Sequence, residues 1–148
     1  MSLTKKPVAE IKAEQAKTTI AKQHQQFGKM IGVNGCFGSS NTGQITGFIA
    51  REIVKNIPNA FMRCPLALYP EVEGATQVLL YDDYQVVIDG CKERCLKKTL
   101  ENSGIKVDLS YALDEDFQLV KQPGPDFDEA QIKKISENII KDIKDRLI

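Results

Sequence analysis

Apolar residues along this chain fall into two alternating textures: short β-branched runs, and longer stretches with one apolar residue every three or four positions. Lys29-Met30-Ile31-Gly32-Val33 is of the first kind and predicts a strand. A Gly- and Ser-rich loop, Asn34 to Gly43, follows it, and then Ile45, Phe48, Ile49, Ile53 and Ile57 recur at helical spacing. Asn41 with Gln44 resembles a capping box, so the stretch reads as strand, loop, helix, the opening of a β-α-β unit. Ala60-Phe61-Met62-Arg63 predicts a second short strand, broken by Cys64-Pro65 and again by Pro70. Val78 to Tyr81 closes the helix that crosses to Gln85-Val86-Val87-Ile88, a run with the composition of a strand covered on both faces.

Asp89-Gly90 breaks that strand. Lys92 to Asn102 is then rich in helix formers, with Leu96 and Leu100 four apart and Gly104 where a helix stop belongs. Lys106 to Tyr111 predicts a fourth strand, and Asp114 to Asp126 a loop ending in Pro123-Gly124-Pro125. Asp126 and Glu129 are the expected caps of a last helix whose Ile132, Ile135, Ile139, Ile143 and Leu147 form one apolar face. Strands alternating with helices imply an α/β fold, three-layer and doubly wound. The sheet should be mostly parallel, with about four strands in the order 2-1-3-4, as in Rossmann- and flavodoxin-like domains.

The segment ahead of the first strand has a different texture. Pro7 to Phe27 is polar and rich in Ala, Lys and Gln, with only Ile11, Ala16, Ile20 and Phe27 as candidate contacts. Residues 1–28 are therefore read as a helical extension of a 29–148 α/β domain, expected either to dock on it or to carry self-association into a homodimer. His24, the one histidine, is expected on the solvated helix surface.

A chain of 148 residues can bury a self-sufficient core. Its 20 Lys and Arg balance 20 Asp and Glu, so no overall field favours nucleic acid or an anionic membrane. Aromatic and basic residues do not interleave as in a nucleic-acid surface. Neither a dinucleotide G-x-G-x-x-G fingerprint nor a Ser/His/Asp arrangement is present. No apolar run reaches bilayer-spanning length, and Met1-Ser2-Leu3-Thr4-Lys5-Lys6 leads into charged sequence, so a cytoplasmic protein is expected. In that compartment four cysteines stay reduced, which points to metal binding or redox chemistry before structural disulfides.

Cys36 follows the first strand, Cys64 ends the second, and Cys91 follows the third, with Cys95 one helical turn later. The carboxyl ends of parallel strands share one edge of an open sheet, so thiols from three segments can converge there. With Asp89 or Gly90 as the N-cap, Cys91 would sit in the first helical turn, on the same side as Cys95 and near the positive end of the helix dipole. Four thiolates suit a tetrahedral zinc ion and also an iron–sulfur cluster. A metal-free alternative is a thiol redox or sulfur-handling enzyme with Cys91 as nucleophile and Cys36 or Cys95 resolving. A third reading makes Cys36 a phosphate-type nucleophile in its loop, but the sixth position after it holds Thr42 where such sites place an arginine. Cysteine is also a small buried hydrophobe, and only the Cys91–Cys95 spacing is local.

Asp89-Gly90-Cys91, followed by Cys95 and Lys97-Lys98-Thr99-Leu100-Glu101, resembles the DGC-domain family, named for the tripeptide. The resemblance runs from about Lys29 to the end. It takes in Cys36 in its Gly/Ser loop, the helix start Ser39-Ser40-Asn41-Thr42-Gly43-Gln44, and Cys64 after the second strand. It implies a zinc-binding protein with Cys36, Cys64, Cys91 and Cys95 as the candidate ligands, and it supplies no reaction. Whether the protein is an enzyme stays open, as does whether the metal is structural or handled.

Overall fold

A computed structural model of the chain describes residues 3–148; Met1 and Ser2, the start of the charged lead-in, lie outside them. The helices are α1 (Glu14–Phe27), α2 (Asn41–Asn56), α3 (Glu73–Tyr81), α4 (Cys95–Asn102), the single turn α5 (Leu113–Asp116) and α6 (Ala130–Leu147). The strands are β1 (Ile31–Gly35), β2 (Ala60–Met62), β3 (Tyr84–Asp89) and β4 (Leu109–Ala112). They form one all-parallel sheet in the order β2-β1-β3-β4, with Val33 beside Met62 on one side and Val86 on the other. The order is the expected one, and every strand-to-strand connection carries a helix, as parallel pairing requires.

Alternation along β1 and β3 divides the core. Ile31, Val33, Val86 and Ile88 pack under α2 and α6, where the helical stripe Ile45, Ile49 and Ile53 meets Ile135, Ile139 and Ile143. Val87 faces the other layer, with Leu79 of α3 and Leu96 and Leu100 of α4. All but Leu96 of these side chains are almost fully buried, each contributing about 1.5–3 kcal/mol relative to exposure.

Several boundaries differ from the sequence reading, each for a visible reason. The N-terminal helix starts at Glu14 and not near Pro7; before it the described chain is irregular apart from a short turn at Val8–Glu10. That arm is tied to the domain: Leu3 N–H donates to Ser103 O, Lys6 N–H to Gln77 Oε1, and Gln77 Nε2 to Thr4 O. Ile11, Ala16 and Ile20 bury against Val78 and Tyr81. His24, expected on the solvated helix surface, is half-buried, edge-on to Tyr81 with Nδ1 at 3.1 Å from Gly28 O and Nε2 closed off from solvent. The cap of α2 is Ser40, one residue before the expected Asn41, its Oγ accepting from Gly43 N–H. Residues 113–116 form a helical turn that takes up the start of the loop expected from Asp114 to Asp126. At the last helix Asp128 Oδ1, not Asp126, accepts from Ala130 N–H.

Candidate functional site

The hydrogen bond from Cys36 N–H to Ile88 O carries the β1–β3 pairing past the end of β1 and fixes Cys36 at the carboxyl edge of the sheet. Phe37 then takes a left-handed conformation, φ 51°, uncommon outside glycine. The turn brings Gly38 N–H back to Cys36 Sγ at 3.4 Å. From the neighbouring strand Gly90 N–H donates to the same sulfur at 3.3 Å. Thr46 Oγ1 is 3.8 Å away, but its single proton goes to Gly43 O at 2.7 Å, so the two backbone amides are the effective donors. A thiolate accepts such hydrogen bonds better than a thiol does.

This closeness depends on glycine. A Cβ on Gly90 would stand 2.5 Å from Gly43 N and 2.6 Å from Thr42 C, and a Cβ on Gly43 would stand 2.6 Å from the backbone of Gly38. Three backbone segments therefore touch at the N-terminus of α2, with the Cys36 sulfur held among them.

Cys36, Cys64 and Cys95 line one cavity of about 650 Å³, with Arg63, Leu96 and Thr99 in its wall and Phe37, Leu66 and Tyr69 around it. Leu66 and Tyr69 are 86% and 93% exposed, so this rim is apolar and unpacked. All four thiols are free, Cys64 and Cys95 exposed and Cys36 and Cys91 half-buried. Cys91 does not line the cavity; Lys121 Nζ stands 3.5 Å from its sulfur. Among the described residues no three His, Cys, Asp or Glu side chains stand close enough together to hold one metal ion as placed.

The helix after the Asp89-Gly90-Cys91 tripeptide also starts later than expected. Residues 90–94 form a turn in which Arg94 has φ 50°, and Cys95 is the first residue of α4. Cys91 is thus not in the first helical turn, and it is Cys95 that occupies the helix start. Asp89, 2% exposed, still does the capping, from a distance: its carboxylate accepts from Leu96 N–H at 2.9 Å and Lys97 N–H at 3.2 Å. Burial pushes this carboxyl above its usual range, and the two amides pull against that. The Arg94 side chain turns away to Ser110 Oγ and to Glu115 and Asp116.

A buried polar network supports the wall at Cys64. Arg63 Nε and a terminal nitrogen meet the two oxygens of Asp82 at 2.8 and 2.6 Å, the side chains being 5% and 0% exposed. Gln85 Nε2 donates to Asp82, and Asn34 Nδ2 to Gln85 Oε1. Burial raises the Asp82 carboxyl more than Arg63 lowers it.

Sequence reasoning found the cysteines but missed three features: the Gly38 and Gly90 amides on Cys36, Arg63 and the apolar rim around the cavity, and Lys121 beside Cys91. Only Gly90 carried a local signal, as the residue that breaks β3. Lys121 comes from the loop after α5, held down where Asn41 Nδ2 donates to Val120 O and Gln122 N–H to Asn41 Oδ1.

The family model of the DGC domain matches residues 32–139, most of the chain and every cysteine. No curated protein and no solved structure matches it. No helix among the described residues is long and apolar enough to cross a membrane.

Proposed function

We propose that this chain, which belongs to the DGC-domain family, holds a soft metal ion, zinc, between thiolates at the carboxyl edge of its sheet. The observation that carries the reading is that Cys36, Cys64 and Cys95, from three separated segments, wall one cavity. The donor set suits the ion in kind, since sulfur ligands select zinc and other soft cations. Cys64 and Cys95 sit exposed at the starts of short helical elements, so ligation requires their side chains to move toward Cys36.

In this arrangement Cys36 is the anchor, its sulfur oriented by Gly38 and Gly90 in the way that outer hydrogen bonds orient a metal ligand. Three ligands around an open cavity leave a fourth position facing that space, which favours metal handling over a closed structural site. Cys91, on the far side of the Gly90 turn and paired with Lys121, is the expected fourth ligand only after leaving that lysine.

The test is metal content with a free-thiol count on protein purified anaerobically without chelator. About one zinc per chain, with thiols that react only after chelation, supports the reading. Replacing Cys36, Cys64 or Cys95 with serine should then abolish retention, whereas Cys91→Ser should weaken it less. Iron with visible absorption would replace zinc by a cluster. Absence of any metal, with all thiols freely reactive, would overturn the proposal.

A further inference from the structure

The thiols that wall the cavity are not equivalent. Cys36 Sγ receives two backbone N–H groups and has no carboxylate among its hydrogen-bond partners. Cys95 begins α4, but the amides that would favour negative charge there, those of Leu96 and Lys97, are already taken by the Asp89 carboxylate. Cys64 is followed by Pro65, which has no N–H to offer. One sulfur in the cavity therefore has two backbone amides aimed at it, and two exposed thiols line the same space.

We infer that the metal-free chain carries out thiol–disulfide exchange with low-molecular-weight disulfides, with Cys36 attacking and Cys64 or Cys95 resolving. The Cys36 thiolate forms a bond to one sulfur of R–S–S–R as the substrate S–S bond breaks, and the departing RS⁻ takes a proton from water. The second thiol of the cavity, as thiolate, then attacks Cys36 Sγ. The mixed disulfide breaks, a second RS⁻ leaves and is protonated, and an internal disulfide remains. Two protein thiols are oxidised, and one substrate disulfide is reduced to two thiols. Phe37, Leu66 and Tyr69 give the entrance an apolar and aromatic lip, which favours disulfides with aromatic substituents over strongly polar ones. The sequence pointed to Cys91 for the attack; its place outside the cavity that holds the other three thiols moves that role to Cys36.

The inference stands without the metal, and its test is made on full-length protein reduced and stripped by a chelator. The probes are 4,4′-dithiodipyridine and oxidised glutathione, with released thiol followed in time and the modified residues mapped by mass spectrometry after acid quench. The expected result is a first release assigned to Cys36, faster with the aromatic probe. A second equal release follows as a Cys36–Cys64 or Cys36–Cys95 disulfide forms. In Cys64→Ser/Cys95→Ser the Cys36 mixed disulfide should accumulate, and in Cys36→Ser the fast phase should fall at least tenfold. Mapping on the unaltered chain decides the matter even if a variant fails to fold. First attack at Cys91, an internal disulfide containing Cys91, or uniform slow reaction of all the thiols would overturn the inference, whatever the metal content proves to be.

Discussion

The backbone N–H of Gly90 points at the sulfur of Cys36 across 3.3 Å, joining the exit of β3 to the exit of β1. The contact exists because position 90 lacks a side chain, the space a Cβ would need being filled by the backbone of Thr42 and Gly43.

Gly90→Ala should therefore cost about 3 kcal/mol, since the new methyl meets backbone that cannot rotate away. It should also slow alkylation of Cys36 in the chelated protein by withdrawing one donor. Urea unfolding and a labelling time course measure the two effects. A fully stable variant with unchanged labelling would mean that the three backbone segments are not packed as described.

Asp82→Asn should destabilise the chain by about 3–5 kcal/mol, because it leaves the Arg63 guanidinium buried without its counter-charge. Removing both charges, as in Arg63→Met/Asp82→Leu, should recover much of that loss. Because Arg63 and Cys64 wall the same cavity, the single variant should also retain less zinc, which elemental analysis would read.

The Asp89 carboxyl is raised from 3.8 by burial. The folded state then holds its proton more readily than the unfolded state, so this group's contribution is present below its unfolded value and is lost as pH rises through the folded one. Asp89→Asn should remove that slope: from about pH 4 to neutrality the stability difference should move in the variant's favour. Chemical denaturation of both proteins across that range gives the difference directly, and a gap that widens against the variant would contradict the assignment.

Tyr111 on β4 donates its hydroxyl to Asp142 on α6. Burial first, and the Asp142 carboxylate second, push the phenol well above its usual range. Its contribution holds below the unfolded value near 10 and is lost as pH climbs beyond it. In an alkaline absorbance titration Tyr111→Phe should leave the phenolate amplitude before unfolding unchanged, and should unfold more readily at neutral pH by about 1–2 kcal/mol.

The periodicity of the apolar positions determined the alternation of strands and helices. The need for parallel strands to be joined by crossovers then accounts for the helix between each pair of successive strands in the sheet β2-β1-β3-β4. Those are consequences of local pattern and chain connectivity, and they also put every cysteine near one edge of the sheet. Only the tertiary structure decided which thiols share a cavity. Cys36, Cys64 and Cys95 do, whereas Cys91 is turned toward Lys121 by a five-residue turn whose left-handed Arg94 delays α4. Residues that break a pattern announce a turn but not its conformation, and the conformation aims the side chains. For the same reason the sequence marked Asp89 as a cap but placed it at the wrong distance: its partners lie seven and eight residues on, where only the folded turn brings them within reach.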